Sequence, residues 1–392
     1  MFKVVAVLPA SPHPFGETGA RLYYVLIREL LKGGHRVVCL VATDESRRLL
    51  VEAETLLSEV ARTGQLDFRA YSARPKGSPL VRKLRNAWRP FSELVYADGL
   101  RGDLLAEIRQ GYDVLHLEQL WTGWVGFGIP RTLLNIHGFD VIDWEGRRLH
   151  TLAERKAWLQ MRRATARIVG EMKQMRVLTQ RLIERARRIN PSAQYWVVPA
   201  PLDLDLYPIQ PLVEEPVVGL LGSMHWFPSR SAGERLVTRI WPQIKRRCRE
   251  AKLYVAGWNA LKYLGHHLPM PDVVIEENLA HPTEFFSKVA TMVYAPSRGS
   301  GMKIKVLEAM AYGVPVVTTW EGVEGIAYQN GLECWVEEDD DAIAARVTAL
   351  LEDRAARQRM REAARALMHE RYSPRRVVGR MLEVYGEIAQ HR

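Results

Sequence analysis

The sequence has few cysteines and lacks the short motifs of several large protein classes. Its three cysteines, Cys39, Cys248 and Cys334, are widely spaced and form no Cys-x-x-Cys pair, which indicates neither a disulfide framework nor a cysteine-built metal site. No His, Asp or Glu grouping has the spacing of a metal site, so we predict none. The Gly-x-Ser-x-Gly and Walker motifs are also missing, which disfavours serine hydrolases and P-loop enzymes.

Long apolar stretches are missing as well. No run approaches the roughly 18 consecutive apolar residues of a membrane-spanning helix. The apolar start Met1–Pro9 has no small-residue cleavage site, and it is typical of a first buried strand instead of a signal peptide. Together with the cysteine usage, this favours a cytoplasmic protein, and a peripheral position on the inner face of the membrane stays open.

Acidic residues are scarce in parts of the first half of the chain. The net charge is +10; residues 74–89 hold six basic residues and no acidic one, and residues 147–188 hold thirteen basic residues against three acidic ones. Such stretches are usually solvated surface, but Trp88, Phe91 and Trp121 nearby also suit an anionic membrane surface or a polyanionic acceptor. Nucleic acid is disfavoured as a partner because no recognition motif accompanies the charge.

What the chain does contain is a regular alternation of apolar runs and amphipathic segments. Its 392 residues, 47% of them hydrophobic and 26% charged, favour two large globular domains. The alternation occurs in both halves and restarts after a Pro-rich stretch at 199–216, which predicts two doubly wound parallel sheets. We therefore predict an α/β protein with an N-terminal Rossmann-like domain over 1–205, a C-terminal one over 206–373, and a last helix over 374–392.

The most informative stretch is 296–326, which predicts a glycine loop, a helix and a strand. An apolar run at Met292–Ala295 leads to Gly299 and Gly301, and a helix is expected from about Met302 to Tyr312. Glycines let a ligand approach the backbone closely, and a helix N-terminus is a ready phosphate site.

Lysines at the start of that helix indicate an anion site. Lys303 and Lys305 fall in the predicted first turn, where exposed N–H groups already carry partial positive charge. Each lysine costs roughly a few tenths of a kcal/mol there unless an anion binds. Glu308 lies beyond the phosphate position and could accept hydrogen bonds from sugar hydroxyls. The pattern suits a nucleotide sugar; the alternative is a surface turn whose lysines point into water.

Other predicted strand ends carry candidate binding residues. A strand runs into Gly222 and Ser223, and this loop and the Gly299–Gly301 loop lie at the same edge of one sheet, where they can converge on one ligand. The loop with Gly16 and Gly19 precedes a helix and offers backbone N–H groups, or it is only a flexible connection.

One histidine lies at a predicted strand end in the first half. His137 follows the apolar run Thr132–Ile136. A lone histidine is usually structural, but one at the carboxyl end of a central strand is more often functional. The sequence His116-Leu117-Glu118 is a similar strand end with a weaker claim.

These segments resemble the GT-B fold glycosyltransferases of family 4, in a bacterial branch. Residues 299–319, followed by Glu-Gly-Val-Glu-Gly-Ile at 321–326, are similar to the family's donor-binding segment. Residues 222–228 resemble its first donor-domain loop, and 197–203 its linker entry. The resemblance spans the chain and is strongest over 196–326. It implies two facing Rossmann-like domains, a last helix that crosses back to the first domain, and sugar transfer from a nucleotide diphosphate donor with retention of configuration and without a required metal or other cofactor.

The resemblance also assigns residues to the donor site. Glu308 matches the second glutamate of the family's Glu-x7-Glu motif, which binds the nucleotide ribose, whereas the first glutamate falls at Ser300. Backbone N–H groups of Gly301 and Met302 remain available there. The usual diphosphate clamp after the first donor-domain strand is missing; Lys303 and Lys305 are its best substitutes, and Arg230 is a weaker one.

On the acceptor side, His137 matches the histidine of a His-Asp pair. Gly138 replaces the aspartate, and Asp140 is the substitute we expect. We predict His137 and Lys305 as catalytic residues. The predicted donor-binding set is Gly222, Ser223, Gly299, Ser300, Gly301, Met302, Lys303, Lys305 and Glu308, with Gly16 and Gly19 in the N-terminal loop.

The sequence does not name the sugar or the acceptor, for which a lipid-linked molecule is one expectation. Cell-surface glycan, glycolipid or secondary-metabolite glycosylation would fit. The main alternative is a non-catalytic nucleotide-sugar sensor or scaffold on the same fold, suggested by Ser300 and Gly138. A sugar-nucleotide epimerase of the same fold is another.

Overall fold

The computed structural model describes residues 1–73, 97, 99–145, 151–279 and 281–390. The chain divides into two compact units, unit 1 with Met1–Pro201 and Pro374–Arg392, and unit 2 with Leu202–Ser373. The basic stretch 74–89 and Phe91 lie outside the described residues. In the described part of the chain, no helix is both long and apolar enough to cross a membrane.

Among its described residues, unit 1 has a sheet of seven strands: β1 (Lys3–Leu8), β2 (Arg36–Thr43), β3 (Leu66–Ser72), β4 (Val114–Glu118), β5 (Thr132–Ile136), β6 (Gln174–Val177) and β7 (Gln194–Val197). All are parallel, in the order β3-β2-β1-β4-β5-β6-β7. The residues of β4 and β5 are all buried, as expected for strands covered on both faces. The order reverses between β1 and β4, which is where ligands bind in such sheets.

Helices connect these strands: α1 (Thr18–Lys32), α2 (Arg47–Ser58), α3 (Leu100–Arg109), α4 (Asp140–Asp143), α5 (Leu152–Glu171) and α6 (Gln180–Arg187), with a 3₁₀ segment at Leu120–Gly126. The start of α5 is set by a capping box. Thr151 Oγ1 accepts from the Glu154 N–H and the Glu154 carboxylate accepts from the Thr151 N–H, both at 3.1 Å.

Unit 2 contains a second parallel sheet of six strands: β8 (Val217–Leu221), β9 (Lys252–Ala256), β10 (Val273–Glu276), β11 (Thr291–Tyr294), β12 (Val316–Thr318) and β13 (Trp335–Val336). Their order is β10-β9-β8-β11-β12-β13, so the reversal falls between β8 and β11. The loops after β8 and β11 therefore leave the sheet side by side.

The helices of unit 2 are α7 (Phe227–Arg235), α8 (Trp241–Arg247), α9 (Ala260–Leu264), α10 (Pro282–Phe286), α11 (Ile304–Tyr312), α12 (Asp340–Glu352) and α13 (Arg354–Tyr372). A π-helical turn, Leu236–Ile240, joins α7 to α8, and a 3₁₀ turn, Gly265–His267, follows α9. The last helix, α14 (Pro374–Gln390), packs within unit 1, where Glu387 accepts from Trp196 Nε1 at 2.9 Å.

Two predicted helices have different bounds in the structure. The sequence predicts one helix over 341–370, but α12 ends at Glu352 because Asp353 caps the next helix, its carboxylate accepting from the Ala356 N–H at 2.8 Å. The helix expected from Met302 begins at Ile304, with Lys303 as its N-cap residue.

The Pro-rich stretch at 199–216 is held onto α13 over much of its length. Arg365 donates to the Tyr207 carbonyl at 3.1 Å, and Arg361 donates to the Gln210 carbonyl. The Leu202 N–H donates to the Tyr372 carbonyl at 2.7 Å. Residues 202–216 are therefore part of the packing of unit 2.

The Gly219→Ala substitution tests the packing of the central strand β8. A Cβ at Gly219 would lie 2.5 Å from Val289 Cγ1 and 2.6 Å from Phe285 Cζ. Because buried side chains would have to shift, we expect a loss of about 1–3 kcal/mol in the free energy of unfolding, measured by urea denaturation. The matched control is Gly379→Ala in α14, where a Cβ meets nothing within 4 Å, and this variant should be as stable as the wild type or more so. Equal stabilities would refute the packing argument.

Candidate functional site

In unit 2 the loop after β8 is fixed by the loop after β9. The Gly222 N–H donates to the Ala256 carbonyl at 3.0 Å, and the Met224 N–H donates to the Trp258 carbonyl at 2.9 Å. Gly257 has a φ of +133°, and a Cβ there would lie 2.1 Å from the Gly222 oxygen. Only glycine fits at this close approach, so the backbone of the Gly222–Ser223 loop is held in one position.

The loop after β11 carries the other predicted glycines. A Cβ at Gly299 would lie 3.0 Å from Pro228 Cγ, so this loop contacts the start of α7. The Gly299 N–H donates to Glu321 Oε2 at 3.2 Å. Gly301 has a φ of +73°, and its neighbours Ser300 and Met302 are buried. The structure thus brings together the two glycine loops that the sequence singles out.

Lys303 is inside the loop and not on its surface. Its side chain is fully buried; Nζ donates to the Gly301 carbonyl at 2.6 Å and lies 3.6 Å from Glu324 Oε2. The ammonium group of Lys303 thus links the glycine loop to the Glu-Gly-Val-Glu-Gly-Ile segment.

Lys305 links the two glycine loops. Nζ donates to Ser229 Oγ, at the start of α7, and lies 4.9 Å from the centroid of the Trp226 ring and 4.8 Å from that of Tyr294. A Cβ at Gly222 would approach Nζ to 2.8 Å. Burial lowers the pKa of Lys305 to about 7; Glu308 opposes the shift and the charge of Lys303 adds to it. The group therefore gains or loses its proton close to neutral pH.

Glu308 lies on the following turn of α11 and is buried. Its Oε1 accepts a hydrogen bond from the Tyr207 hydroxyl at 3.2 Å. Tyr207 in turn packs edge-on against Tyr312, with ring centroids 5.3 Å apart. The carboxylate predicted to contact the nucleotide is thus oriented by a tyrosine from residues 202–216.

In unit 1, His137 has a carboxylate partner that the sequence did not identify. Its Nε2 lies 2.9 Å from Glu118 Oε2, at the end of the neighbouring strand. Asp140, the substitute expected from the sequence, instead accepts from Trp121 Nε1 at 3.0 Å. Burial and the nearby Asp143 raise the pKa of Asp140 to about 6.

Glu118 is the centre of a buried polar network. Oε1 lies 2.9 Å from His116 Nε2 and accepts from Asn135 Nδ2 at 2.8 Å. Arg176 donates to Asn135 Oδ1 at 2.8 Å. Burial by itself raises the pKa of Glu118, but hydrogen bonds and charge from His116 and His137 outweigh it, so the pKa lies well below its usual range. The carboxylate is ionised at neutral pH.

The network extends to two of the helices that pack on the strands, α1 and α14. The Tyr385 hydroxyl, on α14, lies 2.8 Å from His116 Nδ1. Tyr23, on α1, accepts from Gln119 Nε2 at 2.7 Å. Gln119 directly follows Glu118 with φ 66° and ψ 152°, a strained conformation for a residue with a side chain. Such strain is typical of sites where a backbone position is held for function.

The predicted glycines of unit 1 border the same end of the sheet. A Cβ at Gly19 would lie 3.0 Å from the Tyr23 hydroxyl and 3.4 Å from Gln119 Nε2. Gly16 is part of a compact turn in which Arg21 donates to its carbonyl at 2.8 Å. Gly19 is therefore close to the network, whereas Gly16 shapes the loop before it.

A small cavity opens beside this network. Its free volume of about 10 Å³ is close to the least that holds one water molecule. The lining residues are Leu22, Leu26, Glu118, Asn135, His137, Arg176, Pro201, Val377, Val378 and Met381. Its polar members thus belong to the network around Glu118.

A sequence signal for this network existed. His116 and Glu118 are two residues apart, as are Asn135 and His137, and residues at that spacing share one face of a strand. What the spacing could not show is that β4 and β5 are adjacent, with Glu118 opposite Asn135. Likewise, no local pattern could show that Ser229 accepts from Lys305, because the two residues are far apart in the sequence.

Comparison with known proteins gives a family match for unit 2 and fold matches for the whole chain. Residues 215–353 match the family model described as "Glycosyl transferases group 1". Among curated proteins, no sequence matches this chain.

Solved structures of similar fold cover nearly all of both chains. Anabaena Alr3699/HepE, solved in complex with UDP and glucose, has a TM-score of 0.67 at 14% identity over 99% of this chain and 100% of its own. Sucrose-phosphate synthase from Thermosynechococcus elongatus has a TM-score of 0.69 at 16% identity over 98% and 99%. A mutant of S. aureus TarM, solved in complex with Fondaparinux, alpha-GlcNAc-glycerol and UDP, has a TM-score of 0.67 at 9% identity over 98% and 100%. These likenesses confirm the predicted fold class, two Rossmann-like α/β domains of the GT-B type.

The Glu118→Gln substitution tests the charge at the centre of the unit 1 network. A neutral amide cannot accept from His116, His137 and Asn135 together, so we expect a loss of about 3 kcal/mol in the free energy of unfolding at pH 7. Because the pKa of Glu118 is lowered on folding, its stabilisation is present above the unfolded pKa of about 4.3 and is lost as the pH falls through the lower folded pKa. The difference in the free energy of unfolding between wild type and variant should therefore become smaller as the pH is lowered.

The control is Glu184→Gln, which changes an exposed glutamate. A difference in the free energy of unfolding that does not depend on pH would contradict the role assigned to Glu118.

Proposed function

We propose that the protein is a glycosyltransferase whose nucleotide diphosphate sugar binds at the loops after β8 and β11. The observation that carries the proposal is the position of Lys305: its ammonium group lies beside the Gly222–Ser223 loop, in the first turn of α11, at the reversal point of the sheet. The family match over 215–353 covers this same region and supports the assignment.

The local electrostatics favour a diphosphate as the ligand. The first turn of α11 contains no acidic residue, and lysines lie at its N-cap and second positions. The helix N-terminus, the N–H of Gly301 and Lys305 therefore create a positive potential at the start of the helix. Lys305 loses part of its charge in the free protein because its surroundings are poor in water and in counter-charge. A bound diphosphate would supply that counter-charge. The UDP present in structures of similar fold is in keeping with this ligand class.

These residues can also act on the reaction itself. When the glycosidic bond to the diphosphate breaks, negative charge develops on the leaving phosphate oxygen. A protonated Lys305 and the N–H groups at the start of α11 would stabilise that charge, an effect that is largest where water is excluded. Lys303 would act indirectly, because it holds the Gly301 carbonyl and thereby the shape of the loop.

Glu308 and His137 complete the proposal. Glu308, oriented by Tyr207, would accept hydrogen bonds from the ribose, as the family resemblance implies. His137 would serve the acceptor side, with Glu118 in the role that the family gives to an aspartate. With Nε2 directed at Glu118, the Nδ1 edge of the imidazole is the one to contact a sugar hydroxyl.

The finer features of the proposal have two sources. Membership of family 4, retention of configuration and transfer without a metal rest on the resemblance, and a lipid-linked acceptor at an anionic membrane surface rests on the basic stretches of the sequence. One observation favours a second candidate, a nucleotide-sugar sensor: Ser300, which replaces the family's first glutamate, is buried in the loop. Binding without turnover would identify that function.

A screen of nucleotide diphosphate sugars tests the proposed donor site. We expect one or a few donors to raise the melting temperature by several degrees, because a ligand that binds only the folded state stabilises it. Turnover is then followed as release of nucleoside diphosphate with candidate acceptors. Binding and slow hydrolysis of the donor support the transferase, binding alone supports the sensor, and conversion of the donor to an isomer supports an epimerase. The absence of binding by every donor would overturn the proposal.

The Lys305→Met substitution tests the diphosphate contact and its pH dependence. In the wild type, binding should be accompanied by proton uptake, because the diphosphate raises the pKa of Lys305 above about 7. Affinity for the nucleoside diphosphate should therefore weaken as the pH rises above 7, by up to about tenfold per pH unit. Lys305→Met should bind more weakly at pH 7 and lose most of this dependence, as measured by calorimetry.

A lysine at the opposite edge of the same sheet is the matched control. Lys252 begins β9, at its amino end, and pairs with Glu215. Lys252→Met should bind the nucleotide like the wild type. If Lys305→Met and Lys252→Met bind equally well, Lys305 is not the diphosphate contact.

A further inference from the structure

A second group of side chains that can bind a ligand lies in unit 2. It is at the C-terminal ends of two helices whose N-terminal ends follow the Gly222–Ser223 loop and the Gly257 loop. Glu234 is on the last turn of α7, and His266 and His267 form the 3₁₀ turn after α9. One potential ligand atom from each of the three side chains can be chosen so that all lie within 4.8 Å of one another. Within the described ranges, no other three His, Cys, Asp or Glu side chains form such a group.

Two contacts already bring these side chains together. His267 Nε2 lies 2.8 Å from Glu234 Oε2. The rings of His266 and His267 are 3.9 Å apart between centroids, inclined by 41°. An ion pair between Glu234 and His267 needs only one imidazole, so it does not account for the second ring beside it. Two imidazoles beside a carboxylate are a set of metal ligands.

We propose that Glu234, His266 and His267 bind a divalent transition-metal cation, with Zn²⁺ as the best-suited ion. Two imidazole nitrogens and one carboxylate oxygen fit Zn²⁺ and its late first-row neighbours, whereas Mg²⁺ and Ca²⁺ prefer oxygen ligands only. His266 is exposed and the other two side chains are partly buried, so water can complete the coordination.

The distances require only small side-chain movements. With metal–ligand bonds of about 2.0–2.1 Å, the ligand atoms of a tetrahedral site are roughly 3.3 Å apart. The Nε2–Oε2 pair at 2.8 Å would open slightly, and separations of up to 4.8 Å would close through side-chain rotation. The metal would replace the hydrogen bond between Glu234 and His267.

The backbone that carries the ligands is well packed. A Cβ at Gly233 would lie 2.8 Å from Leu264 Cδ1, so α7 and the end of α9 are in close contact beside the ligands. These helices begin at Phe227 and Ala260, just after the Gly222–Ser223 loop and the Gly257 loop. The cation would therefore fasten together the two helices that follow those loops.

The proposed site is structural and separate from the donor site. Glu234 is about 10 Å along the helix axis from Phe227, at a rise of about 1.5 Å per residue. A metal there contacts neither Lys305 nor the diphosphate position. Its effect would be on the stability of unit 2, and the proposal does not depend on the proposed transferase activity.

The experiment titrates the tag-free, chelator-treated chain of 392 residues with ZnCl₂ by calorimetry. We expect one Zn²⁺ per chain with a micromolar or tighter Kd, and a melting temperature that rises with Zn²⁺ but not with Mg²⁺ or Ca²⁺. His266→Ala should weaken binding at least tenfold while it leaves the Glu234–His267 contact, and hence the fold, intact. Glu234→Gln is the second variant and should also weaken binding.

The matched control is His369→Ala, which removes an exposed histidine on α13 outside the group. It should bind Zn²⁺ like the wild type. A Cu²⁺ titration followed by electron paramagnetic resonance should show nitrogen coordination that His266→Ala diminishes. No Zn²⁺ binding in the wild type, or equal binding and equal thermal shifts in wild type, His266→Ala and Glu234→Gln, would overturn the proposal.

Discussion

The reversal of strand order in a parallel sheet is the constraint on which the candidate donor site depends. Since β8 and β11 are parallel neighbours at the point where the strand order reverses, the loops after them lie side by side at the carboxyl edge. Two features of the site use this arrangement directly. Gly222 and Gly299 allow close approach, and the side chain of Lys305 spans the space between the loops.

Each unit contains a buried ionisable group, and the surroundings stabilise the charged form of one and destabilise that of the other. In unit 1, Glu118 is kept ionised inside the protein because His116, His137 and Asn135 surround both carboxylate oxygens. In unit 2, Lys305 lies between aromatic rings, and its pKa falls to about 7. A satisfied buried charge is a rigid support, whereas a poorly compensated one is a receptor for an ion of opposite sign. This contrast explains why we assign positioning to Glu118 and ligand binding to Lys305.

Lysines that look equivalent in sequence have different tasks in the structure. Lys303 and Lys305 are two residues apart at the start of one helix. The first is turned inward to the Gly301 carbonyl and Glu324, and the second reaches the neighbouring loop. Lys303 is the N-cap residue, with backbone angles outside the helical region, whereas Lys305 projects from the first helical turn, so the two side chains leave the backbone in different directions. Likewise the exposed His266 acquires a proposed role only through Glu234, which lies far from it in sequence.

The sequence by itself determined the fold class and the location of the glycine loops. Apolar runs alternating with amphipathic segments predict two doubly wound sheets, and glycines after strands predict loops that a ligand can approach; both are local properties of the chain. Only the tertiary structure decided the partners: Glu118 for His137, Ser229 for Lys305 and Tyr207 for Glu308. The break at Asp353 in the helix predicted over 341–370 is different, because that residue caps the next helix through a local contact. The partners depend on strand adjacency and side-chain direction, which arise from packing between segments remote in sequence and which no local pattern encodes.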